Sequence, residues 1–210
     1  MSYRVLVVDD HPVVRAGIVQ LAAAGDTFTV AGEAGNVPEA LAQLRVGHWD
    51  LVLLDVRLPG HTGLEALAEL RETFPQVPVL MFTGHHDQFV AMRAFTLGAS
   101  GYLSKTSSLD EIAVAMSKVL AGGRYVSGAI AEYMVNTLRG GNHSTPHDAL
   151  SNREYQIMTM LAGGKTVTQV ARELGLSVKT VSAHRGRLLR KMGMNTSAEL
   201  TYYCVKQGIV

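Results

Sequence analysis

Cysteine occurs once in the 210 residues, at Cys204, which excludes an internal disulfide. No apolar run approaches the roughly 20 residues that a membrane-spanning helix needs. The N-terminus, "MSYRVLVV", has neither the basic start nor the long apolar stretch of a secretory signal. Internal repeats and low-complexity tracts are also missing. These absences favour a cytoplasmic protein with no membrane partner. What is present is 47% hydrophobic, enough for the core of one large domain or two small ones.

The formal net charge of +1 conceals a division. Residues 1–122 hold 8 Lys and Arg against 13 Asp and Glu, a net of −5, whereas residues 151–210 hold 9 against 3, a net of +6. A 60-residue basic stretch suits a polyanion, and the acidic first part suggests a separate domain.

Up to about residue 121, aliphatic runs of strand length alternate with amphipathic stretches, the pattern of βαβ units around a parallel sheet. Five strands are predicted at 3–8, 28–32, 50–54, 77–82 and 100–104, with helices near 12–23, 37–46, 64–73, 87–97 and 109–121. Asn36 to Glu39 reads as a helix start with Pro38 in the first turn. After Gly122 and Gly123 a short helix at 129–138 and a flexible linker at 139–149 are expected, the two making a connecting segment over 122–150. Residues 151–210 read as four helices. Ser151 and Glu154 form a capping box at the first, Gly175 ends the second, and Ser177 caps the third.

In an open parallel sheet, residues that end different strands become neighbours beyond the carboxyl edge. Here those residues are Asp9 and Asp10, Asp55, Thr83 with Gly84, and Lys105. Three crowded carboxylates repel one another unless a cation holds them. A cluster of oxygen ligands without cysteine suits a hard ion, Mg²⁺ above all. Asp55 opens the loop "DVRLPGHTG", where Pro59, Gly60 and Gly63 permit a tight turn, and an accessible carboxylate can attack phosphorus to form an acyl phosphate. Lys105 and Thr83 would contact the phosphoryl oxygens. His11 precedes Pro12 at a helix start and reads as a cap or surface residue, and His85 and His86 read as solvent-facing.

The runs "VLVVDDHP", "DLVLLDVRLPGHTG", "VLMFTG" and "GASGYLSK" resemble, in order and spacing, the receiver domain of two-component response regulators, over residues 1–121. The resemblance implies a doubly wound, flavodoxin-like α/β fold with five parallel strands. It also implies that Asp55 takes a phosphoryl group from a sensor histidine kinase. Asp10 and Asp55 would bind Mg²⁺ directly, Asp9 through water, and the backbone carbonyl of Arg57 would complete the site. Thr83 and Tyr102 would form the switch, the hydroxyl moving toward the phosphoryl group and the ring turning inward. Thr106 follows Lys105, where many members carry a proline with a cis bond.

In the basic region, "VTQVARELGLSVKTVSAHRGRLLRKM" reads as helix, turn and second helix, the arrangement that places a recognition helix in the major groove of double-stranded DNA. Val178, Val181, Leu188 and Met192 are expected to face the core. Lys179, Ser182, Arg187 and Arg190 lie opposite, flanked by Arg185 and Lys191. Residues 151–210 resemble the four-helix, LuxR-type DNA-binding domain of the NarL/FixJ family, carried by "LSNRE", "VARELGLSVKTVSAHRGRLLRKMGM" and "AEL". That resemblance adds Thr180 to the DNA-facing set. It puts small residues, Ser182, Ala183 and Gly186, at the base-reading positions, with Ser182 where lysine is frequent. It also implies homodimers on phosphorylation, paired through the last helix, 197–207.

Two rivals fail on particular residues. A Mg²⁺ phosphatase with an aspartyl nucleophile needs a second acid two residues on, where Arg57 stands. A flavin binder needs a phosphate loop after the first strand, and "DDHPVVRAG" would repel phosphate without a metal. The expected protein is therefore a DNA-binding regulator of transcription, and its only catalysis would be its own phosphorylation and dephosphorylation.

Overall fold

The computed structural model describes residues 2–84, 88–138 and 145–210, the last three of the second stretch by their backbone alone. The chain divides into two compact units, Met1–Gly140 and Gly141–Val210. His85 and His86, and residues 139–144 of the expected linker, lie outside the described residues.

The first unit alternates strand and helix as β1 (Tyr3–Val8), α1 (Pro12–Ala23), β2 (Phe28–Ala34), α2 (Val37–Val46) and β3 (Leu51–Asp55). It continues through β4 (Arg57–Leu58), β5 (His61–Thr62), α3 (Gly63–Thr73), β6 (Val79–Thr83), α4 (Gln88–Thr96), β7 (Gly101–Ser104), α5 (Leu109–Leu120), β8 (Tyr125–Val126) and α6 (Gly128–Leu138). The main sheet is parallel in the order β2-β1-β3-β6-β7-β8. It thus has six strands, not the five expected. Two residues are too few to show an alternating pattern, and β8 is held instead by pairing with Gly101 and Tyr102. The Tyr125 hydroxyl also donates to Glu111 Oε1 of α5 at 2.8 Å, and burial, with that carboxylate alongside, pushes the Tyr125 pKa up to about 12.

Alternation along the strands builds two apolar faces. Val5, Val7, Leu51, Leu53, Leu80, Phe82 and Leu103 pack with Ile18 of α1 and Ile112, Met116 and Val119 of α5. The alternate residues Leu6, Val52, Leu54 and Met81 are equally buried, on the side of α2, α3 and α4. Each such side chain contributes about 1.5–3 kcal/mol, so the strand ends sit on a stiff floor. Helix α6 packs on α4 within this unit, and its Ile130 is buried.

The loop after β3 is more ordered than a bare turn. β4 and β5 form an antiparallel hairpin around Pro59 and Gly60, and Gly60 adopts φ +77°, the left-handed region that suits glycine after a turn proline. Thr62 and Glu65 then form a reciprocal capping box that opens α3. A Cβ on Gly63 would lie 2.4 Å from the Asp55 carbonyl oxygen, so only glycine lets α3 start this close to the end of β3. Gly63→Ala should cost about 1–3 kcal/mol by overpacking, and urea denaturation checks this.

The second unit begins with a 3₁₀ turn at Pro146–Ala149, followed by α7 (Asn152–Ala162), α8 (Val167–Glu173), α9 (Val178–Met192) and α10 (Ser197–Lys206). The end of the expected flexible linker is therefore structured. Asp148 accepts from the Thr145 backbone N–H, and His147 is buried with its Nδ1 2.7 Å from the Tyr203 hydroxyl. Ser151, Thr166, Ser177 and Thr196 cap the four helices through side-chain oxygens. Cys204 is fully buried on α10, and burial pushes its thiol up to about 11, so it stays protonated and inert. No helix among the described residues is long and apolar enough to cross a membrane.

Candidate phosphoryl-transfer site and nucleic-acid interface

The strand ends meet as expected. Asp9, just past β1, is 1% exposed, and Asp55, at the end of β3, is 3% exposed. Lys105, just past β7, points its Nζ between them, 2.6 Å from Asp9 Oδ2 and 2.8 Å from Asp55 Oδ2. The lysine is fixed by its own backbone, whose N–H donates to the Thr83 carbonyl at 2.6 Å. The Lys105–Thr106 peptide is trans, and the Thr106 N–H donates to Ser104 Oγ at 3.1 Å. Thr83 and Tyr102 are buried on neighbouring strands, the Tyr102 ring fully inside, and Gly84 is exposed at the rim.

Burial is the largest influence on Asp55 and raises its pKa; the hydrogen bond and charge of Lys105 pull it down, Asp9 pushes it up, and the Arg57 backbone N–H pulls it down. The outcome is a carboxyl above its ordinary value. Asp10 is partly exposed, and its Oδ1 lies 2.7 Å from His11 Nδ1. Ligand atoms of Asp9, Asp10, His11 and Asp55 all fall within 4.8 Å of one another. Three carboxylates against one ammonium leave a local excess of negative charge, which fits a divalent cation.

His11 stays at the surface as expected, but its side chain also joins the carboxylate cluster, to which the sequence does not assign it. Although it occupies the N-cap of α1, its side chain makes no capping bond and turns back over the carboxylates. The one available signal was adjacency to Asp9 and Asp10, which the cap pattern before Pro12 obscured.

In the second unit, Lys179, Ser182, Ala183, Gly186 and Arg190 are exposed at helical spacing along one side of α9. The three small residues occupy the middle, and nothing lies within 4 Å of a Cβ built on Gly186. Thr180 is half-buried, its hydroxyl 2.8 Å from Ser177 Oγ. Val181, Leu188 and Met192 are buried as expected, joined by Leu189. Val178 is 48% exposed, against expectation, because it sits in the first turn of the helix, beyond the core that buries Val181.

The remaining cations are engaged inside the unit. Arg185 Nε donates to Ser197 Oγ at 3.0 Å, and Arg187 reaches His184 Nδ1 at 2.9 Å and Glu154 Oε1 at 3.6 Å. Lys191 Nζ lies 2.6 Å from Glu154 Oε2. Glu154, expected only as a cap, is thus also the buried tie between α7 and α9. Burial works to raise its pKa, but the hydrogen bonds from Lys191 and Ser151 outweigh this and hold it below 4.5. A depressed acid contributes stability above its unfolded pKa and loses it as pH falls through the folded value. Thermal melts should therefore show wild type losing stability below about pH 4.5 more steeply than Glu154→Gln, which starts lower at pH 7. Parallel curves would remove Glu154 from the account.

Comparison with known proteins agrees with both units. Residues 5–117 match the response regulator receiver domain, and residues 148–204 match the luxR family of bacterial regulatory proteins. The response regulator GacA of Pseudomonas protegens is 39% identical over 207 residues, covering 99% of this chain and 97% of that one. The response regulator UvrY of Escherichia coli K12 is 34% identical over 206 residues, covering 98% and 94%. Among solved structures, the RcsB response regulator of Salmonella typhimurium aligns with TM-score 0.74 at 20% identity over 98% of both chains, a likeness of fold.

Proposed function

The chain belongs to the two-component response regulators with a receiver domain and a LuxR-type DNA-binding domain, and from that premise we propose that Asp55 is the phosphoacceptor through which a sensor histidine kinase controls its binding to DNA. It is a DNA-binding regulator of transcription and not a classical enzyme. The observation that carries the proposal is the buried Asp55 carboxylate held against Lys105 at the carboxyl edge of the sheet.

In this reading the Asp55 oxygen attacks phosphorus and the donor leaves, giving an acyl phosphate. Mg²⁺ held by Asp10, Asp55 and the Arg57 carbonyl, with Asp9 acting through water, would neutralise charge on the phosphoryl group. Lys105 pairs with one phosphoryl oxygen, Thr83 donates its hydroxyl to another, and the buried Tyr102 ring follows Thr83 as the switch. Residues 1–121 act as receiver and 151–210 as DNA-binding domain, and the connection over 122–150 begins with β8 and α6, which pack into the first unit. Tyr202, 70% exposed, and Val205 give α10 an apolar face on which phosphorylated copies pair.

Recognition follows from what α9 presents. Ser182, Ala183 and Gly186 allow close approach to the major groove but offer few bidentate contacts, so affinity rests on phosphate contacts by Lys179 and Arg190. Sequence preference rests on half-site spacing, thymine methyl contact at Ala183 and DNA shape. Arg185, Arg187 and Lys191, already tied down, contribute less directly, and Thr180 stays at the cap. Titrations on operator fragments captured from genomic DNA, and on scrambled duplexes, test this at several salt concentrations. A phosphodonor with Mg²⁺ should raise operator affinity at least about tenfold, a coupling of about 1.4 kcal/mol. Lys179→Ala and Arg190→Ala should each lower the slope of log K against log salt by about one on both DNAs, and Lys191→Ala by less. Loss of operator binding alone at an unchanged slope would make those side chains base readers.

A further inference from the structure

Asp9, Asp10 and His11 are consecutive, so the backbone that delivers two carboxylates to the strand end delivers an imidazole with them. The His11 backbone N–H donates to Asp9 Oδ1 at 2.9 Å, which fixes the start of the side chain beside that oxygen. From there the ring turns back toward the two carboxylates while staying largely exposed. Its Nδ1 stands 3.1 Å from Asp9 Oδ1 and 2.7 Å from Asp10 Oδ1.

Those separations have a chemical meaning beyond an ion pair. Ligands bound at right angles by bonds of about 2.1 Å lie about 3 Å apart. Nδ1 is therefore spaced from Asp10 Oδ1, the direct ligand of the two in this reading, as a neighbouring corner of the same coordination shell would be. Lys105 meets Asp9 through the other oxygen, Oδ2, so His11 and the ammonium approach the cluster without competing for the same atom. The ring is largely exposed, and its proton can sit on Nε2 with water as partner while Nδ1 faces a metal.

Carboxylates, a carbonyl and water suit Mg²⁺, which seldom takes nitrogen. An imidazole in the same shell favours the later first-row divalent ions, with Mn²⁺ at the weak end of that series. We propose that His11 sets the metal preference of this site: its Nδ1 ligates Mn²⁺ and later first-row divalent ions, and the carboxylates alone hold Mg²⁺. This rests on the reading that the acidic cluster binds a divalent cation.

The test uses the full chain and substoichiometric Mn²⁺, observed by pulsed electron paramagnetic resonance. Wild type shows ¹⁴N modulation from a directly bound imidazole. His11→Ala, a change at an exposed ring that leaves the core untouched, still binds Mn²⁺ but lacks the modulation. Calorimetric titration with Ni²⁺ and Mg²⁺ then gives the selectivity. In His11→Ala the Ni²⁺ affinity of this site falls at least about tenfold, the scale on which even the outer partners of a ligand act, and Mg²⁺ affinity changes little.

Absence of ¹⁴N modulation in wild type, its persistence in His11→Ala, or an unchanged preference for Ni²⁺ over Mg²⁺ overturns the proposal. The underlying reading has its own arm: Mg²⁺ must displace the bound Mn²⁺, and Asp10→Asn must weaken both ions. If Mg²⁺ fails to displace Mn²⁺ whose ¹⁴N signal depends on His11, the Mg²⁺ reading falls and the role of His11 stands.

Discussion

Asp55→Asn should abolish covalent labelling by a small-molecule phosphodonor with Mg²⁺, and with it any response of DNA binding to that donor. The amide has nearly the shape of the carboxylate and still offers an oxygen to Lys105 at the place where Asp55 Oδ2 now sits 2.8 Å from Nζ. What it lacks is a charged oxygen able to attack phosphorus. It also removes a carboxylate whose pKa burial has raised, so the fold itself should not suffer from the change. The effect therefore separates chemistry from stability: labelling falls to background, and the urea midpoint holds or rises. Mass spectrometry of the intact and digested protein reads the label. A phosphoryl group of equal yield on another residue of the variant would remove Asp55 from its assigned role.

The legible part of this site was the part set by strand periodicity. Asp9, Asp55 and Lys105 each end or follow a buried aliphatic run, so a parallel sheet had to bring them together, and it does. Residues whose role depends on rotamer or on distant partners were harder to read. At His11 the same local pattern that starts α1 also allows the ring to fold back, and sequence alone does not choose between these outcomes. Glu154 follows its capping pattern with Ser151, yet its second partner, Lys191, lies 37 residues away on another helix. β8 was invisible because a two-residue strand has no period, and its partner strand rather than its composition defines it. Val178 follows the apolar stripe of α9, but that stripe runs past the core at the first turn.

Lys105→Ala should strike both the fold and the signal, because one ammonium holds two buried carboxylates. Without it, Asp9 Oδ2 and Asp55 Oδ2 both lose the ammonium that now lies within 2.8 Å of each. Breaking a buried ion pair by removing one partner costs about 3–5 kcal/mol, part of it avoided when a carboxyl takes a proton. Asp55 already has a raised pKa with Lys105 lowering it, so loss of the lysine raises it further. A raised acid contributes stability that is present below its unfolded value, 3.8, and lost as pH rises through the folded value. The deficit of the variant against wild type should therefore grow from acid toward neutral pH. Mg²⁺ should restore much of it, since a bound cation supplies the missing charge and any ligand of the native state stabilises it by mass action. Urea titrations at pH 5 and pH 7, with and without Mg²⁺, read these dependences. With Mg²⁺ present the folded variant still has Asp55 to accept a phosphoryl group, but the link from that group to β7 is gone. Labelled Lys105→Ala should then bind operator no better than unlabelled protein. A deficit independent of both pH and Mg²⁺, or normal dimerisation on phosphorylation, would show that Lys105 is neither the counter-charge nor the coupling.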